Sequence, residues 1–447
     1  MKFHAEHAWL GDQVAADVLI ETAGERFVRV IPGVPSAPEA VRLPGLTLPG
    51  MADTHSHAFH RALRGRVQLG RGTFWTWRSR MYEVAARLDP ESYHALARAV
   101  YAEMALAGIS CVGEFHYLHH GLGGRPYDDV NAMGQALIAA ARDAGIRITL
   151  LDTCYLTGGI GEALEGPQLR FGDGTAEAWG GRVSALRVDG HVRVGAAIHS
   201  VRAVPPEQIQ FVAAWSREHR APLHVHLSEQ PAENEACRDA YGVTPTQLLA
   251  EHRALGARTI AVHATHLSTE DIGLLGATQT GVCMCPTTER DLADGIGPAR
   301  DLVTAGASLS LGSDQHAVID LFEEARAVEL DERLRTRRRG HWTAGELLAA
   351  ATWNGHSALG WPEAGRIEPG AYADLVTVGL DSVRLAGAAP DHLAESVVFA
   401  ASAADVRNVV VSGQEIVSDG PHRLVDDVPA ALSEAIAAVS GTNGASL

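Results

Sequence analysis

Between about residue 48 and residue 360 the chain repeats one pattern, a short apolar run followed by a longer stretch rich in Ala, Leu, Arg and Glu. Short apolar runs that alternate with helix-length amphipathic stretches mark successive β-α units, in which parallel strands are covered on both faces and lose the polar alternation of a surface strand. The runs fall at Asp53 to His57, Cys111 to His116, Ile148 to Tyr155, Val192 to Ser200, Leu223 to Ser228, Thr259 to His266, Val282 to Pro286 and Leu309 to Asp314. With helices expected over Pro90 to Ala107, Val130 to Ala144 and Pro206 to Arg220, these eight units predict an α/β fold, a (β/α)8 barrel over residues 48–360. On both sides the texture changes to short segments broken by Gly and Pro, such as Phe27-Val28-Arg29-Val30-Ile31. Residues 1–47 and 361–425 are therefore expected to form one smaller, β-sandwich-like domain built from both chain ends, and 426–447 a helical and then disordered tail.

Composition narrows the class. A hydrophobic fraction of 46% with 20% charged residues is that of a soluble globular protein, and no apolar run reaches the length of a membrane span. The N-terminus, Met-Lys-Phe-His-Ala-Glu-His, lacks the apolar core of a signal peptide, so a cytoplasmic protein with no membrane partner is expected. A formal charge of −17 argues against a nucleic-acid surface; an anionic substrate would need local arginines. The five cysteines are scattered through apolar runs, as reduced core thiols are. Lys2 is the only lysine, which removes the carbamylated lysine that bridges two metals in many barrel hydrolases and favours a single ion.

The polar residues at the strand ends carry the chemistry, since a parallel barrel builds its site at the C-terminal ends of its strands. In Leu-Pro-Gly-Met-Ala-Asp-Thr-His-Ser-His an extended backbone would point Asp53, His55 and His57 to one face. Alone, His-x-His is a weak signal in a chain with 22 histidines. The fifth run adds His224-Val-His226-Leu-Ser-Glu229, the sixth His263-Ala-Thr-His266 and the eighth Ser313-Asp314-Gln-His316. His55, His57, His226 and Asp314 are the ligands expected for one divalent ion, zinc by the mixture of imidazole and carboxylate donors. Asp314 beside such an ion can accept a proton from its water, His263 can bond that water or the developing charge, and Glu229 can carry a proton to a leaving nitrogen. His224, one layer deeper, reads as a core histidine.

Taken in order, Pro-Gly-x-x-Asp-x-His-x-His, His-Leu-x-Glu, the sixth-strand His, Ser-Asp and the terminal Gly-x-Ile-x-Pro-Gly-x-x-Ala-Asp-Leu-Val resemble the amidohydrolase superfamily, in its mononuclear deaminase branch. Four further stretches, His55–Ala62, Phe74–Arg78, Glu114–His120 and Ile198–Val204, are similar to the formiminoglutamate deiminases of histidine breakdown within it. That resemblance implies hydrolysis of N-formimino-L-glutamate to N-formylglutamate and ammonia, with substrate contacts by Arg78, Tyr117, His199 and Arg202 alongside Glu229 and His263. Several members of that group carry Gln where this chain has His60, which adjoins the metal pincer and faces substrate. The substrate has two carboxylates, and arginines from two loops could clamp them. A homodimer is expected from the superfamily alone. Two rivals stay open: a sister enzyme deaminating a heteroaromatic ring, adenosine-like or guanine-like, or hydrolysing a triazine; and a catalytically silent barrel that only binds.

Overall fold

The computed structural model describes residues 1–68 and 74–440. Eight parallel strands pair in chain order: β1 (Met51–Ser56), β2 (Ile109–His116), β3 (Arg147–Cys154), β4 (Val192–Ile198), β5 (Leu223–Leu227), β6 (Thr259–His263), β7 (Gly281–Met284) and β8 (Leu309–Leu311). Every residue of β2 and β3 is buried, as strands walled by helices outside and by side chains inside must be. The intervening helices start on local signals. Pro90–Leu106, for example, opens with Pro90 in its first turn and a reciprocal cap between Asp89 and Ser92.

The barrel closes between β1 and the segment after β8. The His57 N–H donates to the Asp314 carbonyl at 3.1 Å and the Asp314 N–H to the His55 carbonyl at 2.9 Å. Gly312 makes this possible, because a Cβ there would stand 2.8 Å from both the Cβ and the carbonyl oxygen of His55. The seam that closes the barrel therefore also sets two histidines against an aspartate.

A second, seven-stranded sheet takes Lys2–Trp9, Val14–Ala23, Arg26–Ile31 and Val41–Pro49 from one end of the chain and Leu375–Val378, Val406–Val411 and Gln414–Val417 from the other. Val41–Pro49 passes into β1 through Gly50 alone, where a Cβ would lie 2.5 Å from Ser110 Oγ and 2.7 Å from Asp374 Cβ. Asp374, from the terminal Ala-Asp-Leu-Val, forms a buried pair with Arg147 at the start of β3 and accepts the Ser412 N–H at 2.8 Å. That motif thus ties the sheet to the base of the barrel.

Four strands stop two or more residues short of their expected ends, β4 at Ile198, β6 at His263, β7 at Met284 and β8 at Leu311. At β6 the cause is local: His263 and Ala264 adopt φ of +66° and +49°, a left-handed conformation that ends an extended run. Cys283 lies on β7, whereas Cys285 caps the following short helix; both are buried, with sulfurs 4.0 Å apart. The tail is helical over Val428–Ser440. The disorder expected beyond it falls outside the described residues. Among the described residues no helix is long and apolar enough to cross a membrane.

Candidate active site

His55, His57, His226 and Asp314 converge at the closing seam, their ligand atoms all within 4.8 Å of one another. Backbone carbonyls set the orientation of two of the rings. His57 Nδ1 lies 2.9 Å from the Phe115 carbonyl and His226 Nδ1 2.9 Å from the His199 carbonyl. A carbonyl only accepts, so each Nδ1 carries the hydrogen and each Nε2 presents a lone pair. His55 Nε2 then sits 3.1 Å from His226 Nε2 and 3.3 Å from Asp314 Oδ1, and His57 Nε2 3.4 Å from the same oxygen. Burial lowers the pKa of all three imidazoles, His57 to about 3, which keeps them in the neutral, ligating form. Burial alone would raise Asp314, but the neighbouring His55, His263 and His57 hold it well below the usual carboxylate range. Two facing lone pairs, the Nε2 of His55 and a carboxylate are a donor set that fits a divalent cation.

Around the cluster a further layer is fixed. Ser313 donates through its N–H and its hydroxyl to Asp53, so Asp53 does not join the ligands but pins the residue before Asp314. His263 stands between three carboxylates: Nε2 is 3.9 Å from Glu229 and 3.7 Å from Asp314, and Nδ1 is 3.3 Å from Glu289. Burial opposes a proton on His263, but those acids outweigh it and raise its pKa well above the ordinary value. Burial also raises Glu229, against the pull of His263. Ser228, His263, Ala264, Asp314 and His316 all have left-handed φ, between +46° and +66°, without being glycine. Such conformations are uncommon for side-chain-bearing residues and cluster where function imposes them.

A cavity opens over the cluster. Of the residues expected from sequence, His57, His60, Arg78, Tyr117, His199, Arg202, His226, Glu229, His263 and Asp314 all line it, while His55 is wholly buried beneath. Arg78 donates through Nε to the Tyr82 hydroxyl at 2.7 Å, and Arg202 through Nε to Glu233 at 2.8 Å. For Arg202, burial would lower the pKa but the charge of Glu233 raises it. His60 Nε2 meets the Tyr117 hydroxyl at 2.9 Å. His224 is a core histidine, 3.1 Å from the Ala358 carbonyl. Sequence reasoning missed the walls Tyr82, Tyr155 and Phe171 and the buttresses Glu233 and Glu289. Glu233 was within reach of a reading, four residues past Glu229 in the first turn of Pro231–Tyr241; the others stand at no telling spacing.

Among the described residues two other groups have ligand-type side chains at comparable spacing: His263, Cys285 and Asp314, which shares the first cluster's aspartate, and His116, His119 and Asp152 at the ends of β2 and β3.

Comparison with known proteins agrees with the geometry. The profile described as Amidohydrolase family matches residues 46–416. Formimidoylglutamate deiminase of Pseudomonas aeruginosa is 38% identical over 434 residues, covering 94% of this chain and 95% of the relative. A 5-methylthioadenosine/S-adenosylhomocysteine deaminase of Natronomonas pharaonis is 30% identical, covering 85% and 83% of the two chains, and an 8-oxoguanine deaminase of P. aeruginosa 31%, covering 84% and 83%. The crystal structure of an amidohydrolase from Brucella melitensis superposes with a TM-score of 0.89 at 33% identity, over 98% of this chain and 99% of that one.

Proposed function

The chain belongs to the amidohydrolase family, a hydrolase acting on carbon–nitrogen bonds, and on that premise we propose that it hydrolyses the linear amidine of N-formimino-L-glutamate to N-formyl-L-glutamate and ammonia. One observation carries the reading: Arg78 and Arg202, from a helix after β1 and a turn after β4, line the same cavity as the metal-type cluster and Glu229. Two cations at separate points match a substrate with two carboxylates, and charge-assisted bonds to both would fix its formimino carbon over the cluster.

His55, His57, His226 and Asp314 would hold the ion, with zinc favoured by three imidazoles and one carboxylate. Bound there, it would supply Lewis acidity that brings the pKa of a water toward about 7. Asp314, kept ionised, takes a proton from the water that adds to the formimino carbon. His263 lies between Asp314 and Glu229 and holds the developing charge. Glu229, whose pKa is raised by burial, delivers a proton to the amino nitrogen. The carbon–nitrogen bond then breaks as the added hydroxyl gives its remaining proton to Glu229, ammonia leaves and takes the proton held by Asp314 as ammonium, and the carbon keeps the water oxygen as a formyl group.

A second reading has an observation of its own: Trp77, Tyr117, Tyr155 and Phe171 give the cavity aromatic walls that could stack a heteroaromatic ring. Ammonia release from formiminoglutamate, adenosine, guanine and cytosine, with metal content measured on the same sample, separates the two. The proposal expects formiminoglutamate to be the preferred substrate by orders of magnitude; a preferred ring substrate would replace it with the second reading.

A further inference from the structure

Glu233 is 2% exposed, yet it neither belongs to the ligand cluster nor lines the cavity. A carboxylate is rarely buried to that degree unless both oxygens are engaged. Oε2 accepts the Nε–H of Arg202 at 2.8 Å, and Oε1 accepts the backbone N–H of Ser228 at 2.9 Å. Ser228 immediately precedes Glu229 and holds a left-handed φ of +51°. The carboxylate itself comes from the first turn of Pro231–Tyr241, where the Glu233 N–H donates to the Gln230 carbonyl at 3.0 Å. One rigid turn of helix thus touches both the arginine and the backbone beside the acid.

The consequence for Arg202 follows from the shape of a guanidinium. It has five donors in one plane, and a bond at Nε fixes that plane and leaves the Nη groups at its end available to a carboxylate. The far side of the residue is held as well, since Thr157 Oγ1 donates to the Arg202 carbonyl at 3.0 Å. An arginine fixed in advance loses less freedom when ligand arrives. Ser228 needs its acceptor for a separate reason. Without one, its strained backbone would have less to hold Glu229 toward His263.

We propose that Glu233 is a positioning residue that presents Arg202 to the substrate carboxylate and keeps that arginine in register with Glu229. The inference rests on the reading of Arg202 as a substrate contact. It adds that substrate affinity depends on an acid that substrate never meets, and that the carboxylate clamp and the proton carrier share one support.

The test is a double-mutant cycle on the metal-loaded enzyme with formiminoglutamate, using Glu233→Gln, Arg202→Met and the pair. A glutamine can accept only one of the two N–H groups and turns its own amide hydrogens on the other. Losing a hydrogen bond to a charged group typically weakens an interaction about 10-fold to 100-fold, so E233Q should raise KM by that factor and lower kcat by less. In the R202M background E233Q should change KM by no more than about 2-fold, the scatter of non-interacting sites. Glu233→Asp keeps the charge on a shorter stem and should recover part of the loss; it also serves if E233Q does not fold. An E233Q enzyme with unchanged KM, an E233D enzyme with a KM no lower than that of E233Q, or an E233Q effect as large in R202M as in the unmutated protein, overturns the proposal while leaving Arg202 as a contact. An R202M enzyme with normal KM overturns the reading of Arg202 itself, and the proposal with it.

Discussion

Among the described residues the barrel brings together two buried groups of histidines and carboxylates at ligand-type spacing, and they differ in whether their donors are already committed. At the closing seam the Nε2 atoms of His55, His57 and His226 face one another and Asp314, with the Nδ1 hydrogens of His57 and His226 given to carbonyls. At the ends of β2 and β3, His119 Nε2 donates to the Thr153 carbonyl at 2.9 Å. Asp152 there accepts two bonds from Arg182, at 2.8 and 2.9 Å, and one from Trp179 at 3.0 Å. Arg182 also bonds Asp173, and so takes the place a metal cation would have. The same residue types at comparable spacing give a donor set open to a cation in one case and a structural network in the other. What separates them is the direction of each lone pair, and whether an arginine has reached the carboxylate first.

The most forceful way to break this distinction is to remove one histidine from each group. His226→Ala should lose the ion and, with it, on the order of 10³-fold or more in kcat/KM, since a metal contributes several kcal/mol to such a reaction. His119→Ala should keep full metal content by elemental analysis. Equal metal loss in both variants would erase the difference between the groups. Next, Glu229→Gln should retain the ion yet lose about 10² to 10⁴ in kcat, because an amide keeps the shape but carries no proton. Retention of more than roughly a tenth of the activity would remove Glu229 from the proton path.

A smaller effect is expected at the cavity rim. Arg202→Met or Arg78→Met should lower kcat/KM for formiminoglutamate by roughly 30-fold to several thousand-fold, the factor that follows from about 2 to 5 kcal/mol for losing one partner of a desolvated ion pair. A small formamidine without carboxylates, turned over poorly to begin with, should lose little more. In the structural network, Arg182→Met strands Asp152 and Asp173 and should cost about 3 to 5 kcal/mol of stability without altering metal content or Glu229 chemistry. Denaturant unfolding beside metal analysis reads both at once.

The least of these effects concerns histidines committed to the core. His224 and His356 bond the Ala358 and Gly50 carbonyls, and burial lowers each pKa from 6.5 to about 3. The unfolded chain therefore binds more protons than the fold between those values. The contribution of each histidine is complete above pH 6.5 and is lost as pH falls toward 3, about 2 kcal/mol apiece by pH 5. Melting temperature should drop across that interval, and His356→Gln should flatten the slope; a profile level from pH 7 to pH 5 would contradict it.

Much of the fold was legible because covered parallel strands read as apolar runs, and all eight stand where those runs are. Their ends were less legible. Nothing in His263-Ala264 or Ser313-Asp314 announces a left-handed backbone, since neither position is glycine, and tertiary contacts impose it. The ligand set was readable from His-x-His, the second histidine of His-Val-His and Ser-Asp at successive strand ends. The network around Arg182 was not, because Asp173, Trp179 and Arg182 lie on the irregular connection after β3 and meet Asp152 only in the folded chain. Glu289 was hidden for the same reason, reaching His263 across 26 residues.

Under the proposed function one ion at His55, His57, His226 and Asp314 supports hydrolysis of formiminoglutamate. Titrating metal-stripped protein with zinc while following ammonia release from that substrate decides whether it does. Activity should climb linearly and level off at one equivalent per chain; no ammonia at that point, or a break at two equivalents, would contradict it.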